Sequence, residues 1–462
     1  MKRTSIELHI PVKRIRSLYL FLVGVDGVLL LGYLALRFGT QAELPWALTV
    51  IRNQLNLTAE NVAAVWYSGM ILLLIGLAAL LCFHVDSEVE AENRFRKMLR
   101  PGWLLIAITF AGFSFDEIGS IHERLDKLLP QAVFGYSGGS SHWVIVLAPI
   151  MAVMFLYFFF FFFSHMSQCR WSQVLAVAGT IFLVSVPLQE WVATSGKGGH
   201  FQAVMEEATE IIGMTLILTA FLEFAIKSSR LALRGRSAPA NGLTGTVPIT
   251  ADITAIRLFY FLATVSAVAS LLVAWYFVPL LDDMPRRGDP SAWYPSAALF
   301  IAGLIAWATP FIQSESAETK PSSGGMWFVL ATACLLLSLE VVSGITALTV
   351  AQVGKLSGPA LSHQAASVSV TAVSVVLCVV AAGVVTGLKR AAWNRTFVLI
   401  GSVVCVLLFT VDSWKAREAI KVLAPTLILI SLLESLRSLY DRRRVIERET
   451  PPSPNLSAIV SK

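Results

Sequence analysis

Charge is what this sequence has least of. Only 14% of its 462 residues are Asp, Glu, Lys or Arg, while 56% are hydrophobic, and the mean hydropathy is +0.69. A chain this apolar and this long does not close as a soluble globule, which excludes cytosolic enzymes and nucleic-acid-binding folds. The net charge of +6 belongs to segments flanking apolar blocks, and no nucleic-acid partner is expected. Cysteine is scarce too. Cys82, Cys169, Cys334, Cys378 and Cys405 show no CxxC and no metal spacing, so they read as small hydrophobes and a disulfide framework is excluded. There is no Walker A loop, no dinucleotide fingerprint, no G-x-S-x-G and no pair of histidines for haem within the apolar blocks. ATP-driven and haem-based functions are thereby set aside. The first apolar run, "LYLFLVGVDGVLLLGYLAL", lacks a small-residue cleavage site and reads as a span, not a signal peptide.

What is there is a series of apolar blocks of the length that crosses a bilayer. Twelve helices are expected, near residues 17–37, 62–84, 102–121, 143–165, 172–190, 203–226, 256–280, 293–313, 326–347, 366–388, 394–412 and 417–437. The fold class is all-α, a polytopic membrane protein whose first partner is the lipid bilayer. Basic segments such as "RFRKMLR", "KSSRLALRGR", "LKRAAWNR" and "DRRRVIER" recur at alternate ends, which puts both termini in the cytoplasm. A bacterial cytoplasmic membrane is the expected location. The stretch 228–254 ("RSAPANGLTGTVP") reads as a flexible cytoplasmic linker. It divides a first six-helix group, 1–227, from a second, 255–440, with 441–462 a disordered tail. The run Phe158–Phe163 reads as apolar filler facing lipid or a partner. Asn56 opens a sequon in an outer loop, and "GYSGGSSHW", 135–143, reads as a flexible connector.

The two groups resemble each other. Residues 206–224, "EEATEIIGMTLILTAFLEF", align without gaps to 417–435, "REAIKVLAPTLILISLLES". Glu207 falls on Glu418, Thr215 on Thr426 and Glu223 on Glu434. "FSFDEIGSIHERL" falls on "LSLEVVSGITALT", with Ser114 on Ser338 and Asp116 on Glu340. Six spans per copy gives both copies one orientation, so a parallel repeat about an axis along the membrane normal is expected. The differences carry the chemistry. Glu206 becomes Arg417, Glu210 becomes Lys421, and His122 has no titratable counterpart. The second half can neutralise Glu340 with its own cations. The first half needs protons, a metal ion, an imidazolium or a basic substrate.

Intramembrane charges mark function by default. At about 1.5 Å per residue, Asp116 lies about 24 Å and His122 about 33 Å along the third span from Arg100, and Glu210 and Glu206 share that depth on the sixth. Asp116, Gly119, His122, Glu123 and Asp126 fall on one helical face, and Glu206, Glu210 and Gly213 on another. Gly119 and Gly213 are expected to let the two helices approach. The site so assembled is a divalent metal held by Asp116, His122, Glu123, Glu206 and Glu210, with Glu190 or Glu207 as acid/base groups. Its donors do not choose between Zn, Mn and Fe. "HERLD" echoes the H-E-x-x-H metalloprotease pattern weakly, since Asp126 stands where the second histidine belongs.

Such a site would serve a metal-dependent hydrolase or transferase acting on a lipid or lipid-linked substrate of the outer leaflet. Two other readings stand beside it: a proton-coupled secondary transporter, and a non-catalytic scaffold. Twelve spans, cytoplasmic termini and a six-plus-six parallel repeat resemble the layout of the major facilitator superfamily. That resemblance implies transport along a path between the halves. The glycine-containing basic signature of that family is absent between spans two and three, where this chain has "HVDSEVEAENRFRKMLRPG".

Overall fold

An apolar segment in a bilayer must satisfy its own backbone, and a helix does so within one segment. A computed structural model describes residues 5–38, 45–57, 59, 62–86, 98–122, 142–192, 200–235, 246–252, 290–314, 324–345, 349 and 422–433. The helices are α1 (Val12–Phe38), α2 (Trp46–Gln54), α3 (Ala63–Asp86), α4 (Gly102–Gly119), α5 (His142–His165), α6 (Arg170–Val192) and α7 (His200–Gly235). Then come α8 (Pro290–Ser314), α9 (Gly324–Ser343) and α10 (Val422–Leu433). Among the described residues, seven helices (α1 and α3–α8) are long and apolar enough to cross a membrane. The chain is an integral membrane protein. The expected spans 256–280, 366–388 and 394–412 lie outside the described residues, as does the tail 441–462.

The described chain is helical but for one ribbon outside the spans, where β1 (Ser5–Pro11) pairs antiparallel with β2 (Thr246–Asp252), Ser5 opposite Asp252. Two local expectations change. The stretch after 227 is more ordered than its composition implies. Its first residues, "SSRLALRG", prolong α7 to Gly235 because they include good helix formers, and "TVPITAD" has the β-branched residues of a strand. The phenylalanine run is also no mere filler. Phe158, Phe161 and Phe162 are at most 1% exposed, whereas Phe160 and Phe163 stay open, as helical spacing dictates. Phe161, Phe221 and Phe224 surround the fully buried Trp103 at centroid distances of 4.9, 5.2 and 5.1 Å. Cys82, Cys169 and Cys334 are buried.

Lipid tails give helices no hydrophobic reason to associate, so close backbone approach at small residues must supply the packing. Gly69 and Gly76 bring α3 onto α4: a Cβ on Gly69 would stand 2.8 Å from the Ile118 side chain, and one on Gly76 3.1 Å from the Ala107 carbonyl. Gly179 brings α6 onto α7, where its Cβ would stand 2.7 Å from the carbonyl of Gly213. α3 packs on both α4 and α7, and α7 also receives α1.

The described residues form two compact units. One holds the ribbon, α1–α7, α8 up to Ala297 and α9 from Leu339; the other holds Ala298–Ser338 and α10. In the second unit, Gly303 of α8 meets α9, its Cβ lying 3.2 Å from the Ala331 carbonyl.

Three pairs of helices are buried alike. Residues 64–83 of α3 match 291–310 of α8 position by position in burial, except Ala78 against Ile305 and Phe83 against Pro310. This frame puts Trp66-Tyr67 on Trp293-Tyr294 and Gly76 on Gly303. Residues 103–121 match 327–345, except Thr109 against Ala333 and Ser120 against Gly344, with Trp103 on Trp327 and Ala107 on Ala331. Residues 211–222 of α7 match 422–433 of α10, except Thr215 against Thr426. α4 and α9 also end alike. Ser120 (φ 47°) and Gly344 (φ 53°) are left-handed caps, and their N–H groups donate to the carbonyls of Asp116 and Glu340.

Candidate functional site

Among the described residues the most buried carboxyl is Asp26, which stands outside the expected metal-ligand set. Asp26 stands halfway along α1 and is 6% exposed. Its Oδ1 accepts the hydroxyl of Tyr67 at 2.5 Å, and its Oδ2 that of Thr215 at 2.8 Å. Tyr67 also lies 3.3 Å from the Leu22 carbonyl. One carboxyl thus joins α1, α3 and α7 by two hydroxyls, and among the described residues no cation pairs with it. The signal was available: Asp26 is the one charge inside "LYLFLVGVDGVLLLGYLAL".

The opposite face of α3 carries a second polar junction. Ser114 donates to the Gly69 carbonyl at 2.7 Å and accepts the indole N–H of Trp293 at 2.9 Å. Phe115 meets the same indole edge to face. Two residues beyond Ser114, Asp116 turns onto its own chain. Its Oδ1 accepts the backbone N–H of His122 at 2.8 Å, and its Oδ2 lies 2.9 Å from His122 Nδ1. The regular helix α4 stops at Gly119 and Ser120 turns left-handed, so Asp116 and His122 meet across a helix cap. They do not share an uninterrupted helical face, as the sequence reading had it.

The acidic residues of α7 sit in a different frame. Glu206, Glu207 and Glu210 are half-buried, and the neighbouring polar groups knit α7 to α6. Gln189 donates to Ser185 and Thr209, Thr209 to the Glu206 carbonyl, and Gln202 to the Gln189 carbonyl. Gly213 meets Gly179 of α6, which corrects the pairing with Gly119. The reason is that α3, not α7, fills the groove beside α4. Glu123 lies outside the described residues, and Glu190 is on α6 with its side chain outside them. Among the described residues, no group of three His, Cys, Asp or Glu side chains is placed to hold a metal ion.

The region that carries these sites is also the region with a known likeness. Residues 20–224, from α1 into α7, match a family described as "Domain of unknown function (DUF8692)". No curated protein and no solved structure matches the chain.

Carrying the comparison of the halves into the first span gives a contrast in sequence. Residues 18–31 lie over 258–271, with Leu18 on Leu258, Phe21 on Phe261, Leu22 on Leu262, Val25 on Val265, Val28 on Val268 and Leu31 on Leu271. Asp26 then falls on Ser266, while Tyr67 falls on Tyr294 and Thr215 on Thr426. The hydroxyls recur and the carboxyl does not.

Proposed function

We propose that the chain is a proton-coupled secondary transporter built as two parallel six-helix repeats, in which Asp26 is the proton carrier. The observation that carries this reading is a mid-span carboxyl that, among the described residues, is held between three helices by two hydroxyls. A buried carboxylate without a cation is costly, and taking up a proton removes that cost. Tyr67 and Thr215 can each donate to a charged Asp26, and each hydroxyl can also rotate to accept from a protonated one. The groups that bind the proton thus come from three different helices.

The duplication is supported by the matched burial of three helix pairs, by Gly76–Ala107 against Gly303–Ala331, and by the shared caps at Ser120 and Gly344. Basic flanks support cytoplasmic termini. Proton binding by the full chain in lipid nanodiscs tests the carrier. Across a pH titration, wild type should show a step that D26N lacks. A titration unchanged in D26N would remove Asp26 from the mechanism.

A second reading has its own observation. Asp116 fixes His122 through Nδ1, the carboxylate–histidine contact that orients metal-binding imidazoles. The metal reading needs Glu123, Glu206 and Glu210 to join this pair as a divalent site acting on an outer-leaflet lipid or lipid-linked substrate, with Glu190 and Glu207 serving proton transfer. Against it stand the packing of α7 on α3 and α6 and the lack of any such group among the described residues. Metal content of the purified protein decides it. Stoichiometric metal lost in D116N and E210Q would support the site, and metal-free wild type would end it.

A further inference from the structure

At the end of α3 remote from Tyr67, a second carboxyl meets a histidine. Asp86 Oδ2 lies 2.8 Å from Nε2 of His165, the last residue of α5, and the side chains are 9% and 0% exposed. The imidazole stacks on Phe161 at a centroid distance of 4.9 Å and lies against Trp103 and Phe224. The Trp103 indole N–H is fully buried and has no acceptor among the described residues. An orphaned donor of this kind points to a polar guest such as an ordered water.

We propose that Asp86 and His165 form a second proton-binding site, on the side of the membrane expected to be cytoplasmic, where the proton carried by Asp26 is given off. The purpose rests on the carrier reading above; the proton-binding site itself does not. The pair alternates between imidazolium with carboxylate, net charge zero, and neutral imidazole with carboxylate, net charge minus one. One proton passes to or from water and no other bond changes.

Several charged and aromatic groups face the pair. A helix C-terminus carries partial negative charge, and His165 closes α5. The faces of Phe161 and Trp103 attract a cation. Arg100 faces Asp86 from the start of α4. Burial draws the Arg100 guanidinium's pKa down and Asp86 pushes it back up. Its Nε donates to the Phe83 carbonyl, and the guanidinium lies 4.3 Å over the Phe83 ring. Cys82 of α3 and Cys169 ahead of α6 are the nearby thiols, and α7 offers Lys227, whose Nζ donates to the Gln168 carbonyl.

Position argues for a separate station. Nineteen residues part Tyr67 from Asp86 on one continuous helix, about 28 Å. Asp26 stands mid-span on α1, whereas Asp86 and His165 close α3 and α5, so the pair is a separate station from the carrier. In the alignment of halves Asp86 falls on Gln313, so this carboxyl, like Asp26, belongs to the first half alone.

The test is the proton titration of the full chain in nanodiscs, now with H165Q and D86N beside D26N. Wild type should show a step that H165Q lacks and D26N keeps. In D86N the imidazole loses its carboxylate, so that step should differ from the wild-type one. D86N also serves if H165Q does not fold, because Asn can still accept from Nε2. An unchanged titration in both variants would make the pair a structural clasp and overturn the proposal. Should D26N keep every step while H165Q loses one, the carrier reading falls and the proton-binding pair stands.

Discussion

In α3, Gly76 lets the backbone meet the Ala107 carbonyl of α4; in α8, Gly303 does the same with Ala331 of α9. The two helix pairs share their buried positions and their left-handed caps, yet they are furnished differently. Beside α3 stand Asp26, Asp116–His122 and Asp86–His165. At the matching positions of the second half the sequence has Ser266, Glu340, Thr346 and Gln313. Similar burial with different charge teaches that packing and chemistry are separable here. The single burial mismatch between α7 and α10 makes the same point: Thr215 is buried against Asp26, while Thr426 is half-buried and bonds to its own helix at the Val422 carbonyl.

Substitutions at matched positions can break this comparison. The largest contrast is expected at the hydroxyls. Tyr67→Phe and Thr215→Val each strip a donor from a buried carboxyl, which costs about 1–3 kcal/mol. Thr426→Val removes the half-buried bond to the Val422 carbonyl and should cost less than about 1 kcal/mol. Thermal unfolding in detergent measures both, and equal losses would count against the special role of Asp26. At the glycines the halves should agree. Gly76→Val and Gly303→Val each force a side chain into a carbonyl and should cost about 1–3 kcal/mol; a large cost at one site only would separate the two helix pairs. The smallest effects differ in sign. Gly344→Ala should lose about 1 kcal/mol by placing a Cβ at positive φ. Ser120→Gly should relieve the same strain and gain a few tenths of a kcal/mol, read as a shift in melting temperature.

Much of the fold was legible in the sequence because a bilayer permits little else. Apolar length located α1 and α3–α9. The ribbon was hidden because β1 and β2 pair across more than two hundred residues, beyond the reach of local pattern. The site was legible only in part. Asp116 and His122 do meet, but through a left-handed cap that helical periodicity cannot foresee. Gly213 was assigned the wrong partner because periodicity names a face and not the helix that fills it. Asp26 was visible as a lone charge, but its meaning lies in Tyr67 and Thr215, which only the packing of α1, α3 and α7 brings to it.

The central claim is that the first half carries a carboxyl that changes protonation within the membrane. Infrared difference spectra of the reconstituted protein, recorded between low and high pH, test it most directly. A carboxylic-acid carbonyl band should appear in wild type, shift in Tyr67→Phe and be missing in D26N. A band identical in all three would contradict the account.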